Sequence, residues 1–240
     1  MVHSMSVKSI LKQELISNIK LDKKAILRNG FFYYTMLNMV NKIIKISLCY
    51  SLLWLLSLFI ISLFVIGSIV PALGSISVSG VMFLCLFTIF QTAMEEAVFR
   101  LVPLFAYRSF ITHFKTSRAI RLLFIVLPSA LFSLLHIKNK EVVENSNWIF
   151  VLLIYFFIGC YYMYITIRHN SIFPSWGMHY MNNIFTFAIV STASSSSPFN
   201  SLYICTIKED NILFMLSSLV FSIVFTQIGY RIFSSLSECK

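Results

Sequence analysis

Six stretches of about 20 mostly apolar residues recur along this 240-residue chain, at positions 46–70, 81–107, 120–137, 148–167, 172–190 and 212–233. A hydrocarbon core of ~30 Å takes about 20 helical residues to cross, and inside it every backbone polar group needs an internal partner. The runs therefore specify an all-α, polytopic helical membrane protein with about six transmembrane helices. A β-barrel is excluded, because barrel strands alternate over about ten residues rather than staying apolar for twenty. With 58% hydrophobic and 12% charged residues and a mean hydropathy of +0.82, the chain leaves no room for a second globular domain.

The net charge of +10 is distributed in a way that argues for lipid headgroups rather than nucleic acid as the partner. Lysines and arginines gather at helix ends and in one loop, with no basic stripe interleaved with aromatics. Residues 1–45 hold Lys8, Lys12, Lys20, Lys23, Lys24, Arg28, Lys42 and Lys45, with Ile10, Leu11, Leu15, Ile16 and Ile19 at roughly helical spacing. This reads as a basic amphipathic segment on the membrane surface, with Gly30–Val40 able to dip into the interface, followed by a helical membrane domain over 46–240. All Lys and Arg except Lys138, Lys140 and Lys208 fall on the side of the termini, so both termini are expected in the cytoplasm. The five cysteines are scattered without CxxC spacing and indicate neither a zinc cage nor a disulfide framework.

Inside the second apolar run stand Glu95, Glu96 and Arg100. A charge at the bilayer centre costs about 2.5–3.5 kcal/mol on insertion scales, so such groups are paired or face a wet cavity, and function is the default hypothesis. Glu96 and Arg100 are four apart and share a helix face, whereas Glu95 points about 100° away and is the carboxylate left over. The bland alternative is one ion cluster that fixes helix packing. Two later runs carry His136, and His179 with Asn183, the last pair again four apart. Counted from the cytoplasmic ends at 1.5 Å per residue, Glu95, His136 and His179 lie at roughly 18, 24 and 11 Å, a wide spread for one site. A lone intramembrane histidine is commonly an interhelical hydrogen-bond donor. Together, a carboxylate, two imidazoles and an amide supply a general base, metal ligands or water-positioning groups, and an oxyanion donor. No HExxH, GxSxG or glycine-rich phosphate loop offers a different chemistry. His3, His113 and His169 lie in the head or in loops and read as solvated.

Glu95-Glu96-x-x-x-Arg100, Phe132-x-x-x-His136 and His179-x-x-x-Asn183, in this order on successive helices, resemble the CAAX protease and bacteriocin-processing (CPBP, or Abi) family of intramembrane proteases over about residues 81–190. The resemblance implies peptide-bond hydrolysis in a membrane-associated peptide or protein. Glu95 would act as general base on a water, His136 and His179 complete the site, and Asn183 stabilise the oxyanion. Glu96 and Arg100 match the supporting pair, and Phe132 a packing position. Glu95, His136 and His179 could also hold a catalytic zinc with an open position for water, or polarise the water directly; both stay open. A bacterial cell membrane is the expected location. The rival readings are a non-catalytic scaffold or bacteriocin self-immunity protein, and a small proton-coupled transporter, for which no internal repeat is found.

Overall fold

The computed structural model describes residues 37–64, 69–71, 78–114, 117–192, 201–205 and 212–238. The chain divides into a unit Met1–Ile44, of which only helical residues 37–44 are described, and a unit Lys45–Lys240 that carries everything below. The expected amphipathic segment therefore lies almost wholly outside the described residues, as does most of Gly30–Val40.

Eight helices are described: α1 (Leu37–Phe64), α2 (Val78–Glu96), α3 (Val102–His113), α4 (Arg118–Leu135), α5 (Lys140–Val143), α6 (Trp148–His169), α7 (Phe173–Ile184) and α8 (Ile212–Glu238). Among the described residues, five helical stretches are long and apolar enough to cross a membrane: Leu37–Phe64, Met82–His113, Arg118–Lys138, Trp148–His169 and Ile212–Ser235. The fifth expected span, 172–190, is real as a helix but shorter. α7 runs into a π-helical turn, Phe185–Ile189, and carries His179, Asn182 and Asn183 where the other spans carry leucine and phenylalanine. The first helix also begins at Leu37 or before, not at Ile46: Lys42 and Lys45 punctuate the apolar pattern without interrupting the helix.

Three short strands are described, two at the ends of expected spans and one between spans. β1 (Ile69–Pro71), β2 (Val190–Thr192) and β3 (Tyr203–Cys205) form a sheet in the order β1-β3-β2, with Ile69 opposite Cys205 in an antiparallel pair and Val190 opposite Tyr203 in a parallel one. Three-residue strands give too short a pattern to be seen in sequence, and their partners lie far along the chain. The sheet pairs a strand that follows the π-helical turn after α7 with strands that come after α1 and before α8 in the chain.

Small residues set how closely the helices approach. In a membrane, helix association relies on close packing and interhelical hydrogen bonds, because lipid tails are as apolar as leucine. α4 presents Pro128, Ser129, Phe132 and Ser133 to the interior. There Ser133 Oγ donates to the Leu152 carbonyl of α6 at 2.6 Å, and a Cβ on Gly159 would come within 3.1 Å of Ser129 Cβ. On the opposite flank Leu122, Leu123, Leu127, Leu131 and Leu134 are exposed, the surface expected to meet lipid. The core of Tyr50, Trp54, Tyr161, Tyr162, Ile165, Met178 and Leu219 joins α1, α6, α7 and α8. Asn170 ends α6 in the left-handed conformation (φ 53°), and its side chain and carbonyl accept from Arg108 at 2.5 and 2.7 Å. This anchors the α6–α7 turn beside Arg108, five residues before the end of α3, so α7 starts above the level where α3 ends.

Candidate active site

α2 and α7 lie side by side, and three polar rungs join them. Trp176 Nε1 donates to Thr92 Oγ1 at 3.0 Å, which in turn donates to the Thr88 carbonyl. Ser175 Oγ donates to Glu96 Oε2 at 2.8 Å. His179 Nδ1 lies 3.0 Å from Glu96 Oε1, and a carboxylate only accepts, so Nδ1 carries the proton of this bond. Ser175 and His179 are one helical turn apart on α7, which lets both reach the same carboxylate.

Glu96 is fully buried and also faces Arg100, whose Nε stands 3.6 Å away and whose side chain is 1% exposed. The guanidinium lies over the Phe132 ring, 4.2 Å from its centroid, and makes no hydrogen bond among the described residues. The ion pair expected from the four-residue spacing is therefore present, but Glu96 does more than neutralise Arg100: it holds His179 and Ser175 as well. Directly after it the helix widens into a π-helical segment, Ala97–Leu101, and Pro103, which has no N–H to donate to the ladder, follows in the first turn of α3. Such widened turns occur often at functional sites.

Glu95 is not isolated. Gln91 Nε2 donates to its Oε1 at 3.1 Å, and its Oε2 faces His179 Nε2 at 3.5 Å. Its side chain is 20% exposed, against 6% for His179 and 0% for Glu96. One imidazole thus bridges two adjacent carboxylates, a fully buried one through Nδ1 and a part-buried one through Nε2, where the facing oxygen is itself buried. The depth spread inferred from sequence does not separate Glu95 from His179, whose facing atoms stand 3.5 Å apart.

His136 sits at the end of α4, on the first residue of a 3-10 turn, His136–Lys138. Its Nδ1 donates to the Phe132 carbonyl at 2.8 Å, which leaves the lone pair on Nε2. Phe132 links it to the rest: its ring is 4.6 Å from that of His136 and 5.8 Å, edge to face, from that of His179. Asn183 shares the His179 face of α7, and its side-chain amide has no hydrogen-bond partner among the described residues. The neighbouring Asn182 is committed elsewhere, accepting from Trp54 Nε1 at 3.3 Å. Gln91, Thr92, Ser175 and Trp176 were not singled out in the sequence. Gln91 was discoverable, four residues before Glu95, whereas the other three meet their partners only across helices.

As placed, the side chains do not form a metal cage: among the described residues no group of three His, Cys, Asp or Glu side chains could hold an ion. Both His179 nitrogens are turned towards carboxylates, so no step below is routed through a metal.

Fold and site together define a polytopic helical membrane protein with a buried carboxylate–imidazole cluster. Over residues 54–185, more than half of the chain, it matches the family described as type II CAAX prenyl endopeptidase Rce1-like, and it belongs to that family. No curated protein and no solved structure matches it.

Proposed function

We propose that the protein is an intramembrane endopeptidase that hydrolyses a peptide bond in a membrane-associated peptide or protein, with Glu95 as the base that activates water. The observation that carries this reading is the double engagement of His179 between Glu96 and Glu95. Glu96, fixed by Arg100 and Ser175, orients the ring and keeps the Nδ1 proton in place, as an orienting carboxylate does in a catalytic triad. Nε2 and the buried Oε2 of Glu95 then face each other at 3.5 Å, and no hydrogen bond among the described residues holds Oε2. A water beside Glu95 loses its proton to the carboxylate as its oxygen attacks the scissile carbonyl, and the proton returns to the departing amine. In this reading the amide of Asn183, one turn beyond His179 and without a hydrogen-bond partner among the described residues, donates to the oxyanion, and Nε2 of His136 is a second polar contact for water or substrate.

Membership of a family of type II CAAX prenyl endopeptidase-like proteins supports a protease, and it makes a prenylated C-terminal peptide one substrate class to try. A leader peptide or small membrane protein is the other, in a bacterial cell membrane with both termini cytoplasmic. The zinc reading carries its own check: metal analysis of protein purified without chelator, with loss and recovery of cleavage on stripping and reloading, supports it, and cleavage unaffected by stripping removes it.

The test compares protein termini in host membranes carrying wild type or Glu95→Gln at matched expression. New termini that appear only with wild type, and are reproduced with purified components, support proteolysis. Identical termini under conditions where the gene matters overturn it and favour a scaffold or immunity role.

A further inference from the structure

The connector between α4 and α6, polar in sequence, is folded. The Asn139 amide donates to the His136 carbonyl at 2.9 Å, α5 follows, and Val142 is buried. The fold brings Glu141 back against α6, where its Oε1 accepts from the Tyr155 hydroxyl at 2.6 Å and from Asn139 Nδ2 at 3.0 Å. The ring of that same Tyr155 is stacked on His136, with centroids 4.1 Å apart and planes 23° from parallel. The remaining constraint comes from Phe132, through its carbonyl on Nδ1 and its ring. His136 is thus clamped between its own helix and a tyrosine whose far end is tied to a carboxylate on the connector.

We propose that Tyr155 and Glu141 are positioning residues for His136: Glu141 holds the tyrosine, the tyrosine ring holds the imidazole plane, and Nε2 is kept aimed at the site. The inference rests on the hydrolytic reading of His136. A positioning role differs from a purely structural one in depending on specific atoms. The Tyr155 hydroxyl needs an acceptor, which Gln supplies at position 141 and Ala does not.

The test uses the full chain in host membranes and reads how fast the wild-type-dependent termini appear, with thermal unfolding of each purified variant alongside. Tyr155→Leu, which removes the stacked ring, should slow cleavage by about tenfold or more, the scale on which small misplacements act. Tyr155→Phe and Glu141→Ala should each slow it by roughly threefold, and the double variant should be no slower than the worse single one, because both break one contact. Glu141→Gln should recover most of the loss. Tyr155→Leu cleaving at the wild-type rate overturns the proposal, as do independent, multiplying effects of the two single changes. So does a loss in Glu141→Gln equal to that in Glu141→Ala. If Glu95→Gln still cleaves in the same experiment, the hydrolytic reading falls and this inference with it; if Glu95→Gln is dead while Tyr155→Leu is active, only this inference falls.

Discussion

Ser175 is a small side chain with a large share of the site's order, since its buried hydroxyl meets Glu96, Thr166 and the Ile172 carbonyl. Ser175→Ala removes a hydrogen bond to a buried carboxylate, worth about 1.5–3 kcal/mol, and should lower the thermal midpoint of the purified protein measurably. Glu96→Gln should be worse, by about 3–5 kcal/mol, because Arg100 keeps its charge and loses its partner; the yield of folded protein in detergent reads this. The two asparagines of α7 give a sharper contrast. Asn183→Ala should cut cleavage by roughly 10²–10³-fold, the usual cost of one oxyanion donor, with little change in melting. Asn182→Ala, which loses only the Trp54 contact, should cost about 1 kcal/mol of stability and leave cleavage near wild type. Much of this site was legible in the sequence wherever partners lie one helical turn apart, as Glu96 and Arg100 do. What the chain could not reveal was that His179 binds Glu96 more closely than Glu95. That choice is made 83 residues away, by how α7 is set against α2.

At the scale of elements, the crossing of α4 and α6 decides where Phe132 sits, and Phe132 touches Arg100, His136 and His179. A Cβ on Gly159 would stand 3.3 Å from the Phe132 ring and 3.1 Å from Ser129 Cβ. Gly159→Ala should be tolerated with a small shift, whereas Gly159→Leu should overpack the crossing at a cost of about 1–3 kcal/mol and displace Phe132. Cleavage by Gly159→Leu should then fall even in the fraction that remains folded, as gel-filtered protein assayed at equal concentration would show. The apolar runs made the existence and order of the long helices readable. They did not reveal the π-helical segments after Glu96 and Ile184 or the small sheet, because a one-residue change of helical register and three-residue strands leave the hydrophobic pattern almost untouched. Nor did the polar residues 138–147 betray a folded connector, since polarity marks a surface location and not a lack of structure.

For the whole molecule, the open question of orientation reduces to whether α7 with its π-helical extension makes a full traverse. Residues 173–189 fall short of the length that qualifies the other five helices, yet the chain enters α7 from a turn bonded to Arg108 and leaves it into β2, which pairs with β3 in the sheet that β1 joins. The turn and the sheet therefore mark opposite ends of the bundle. α8 starts after β3 and runs back, and Gln227 on it accepts from Arg168 at 3.1 Å, at the same end as Asn170. The C-terminal end of α8 then shares a side with the α6–α7 turn, and the excess of Arg and Lys at that end is the ground for proposing that this side is cytoplasmic. A fluorescent protein that matures only in the cytoplasm should glow when fused after Lys240, and a phosphatase active only outside should work when inserted in the 193–200 stretch between β2 and β3. The reverse pattern would invert the orientation. A cytoplasmic signal at both places would mean that α7 turns back within the membrane, and its carboxylate partners would then be reached from one face only.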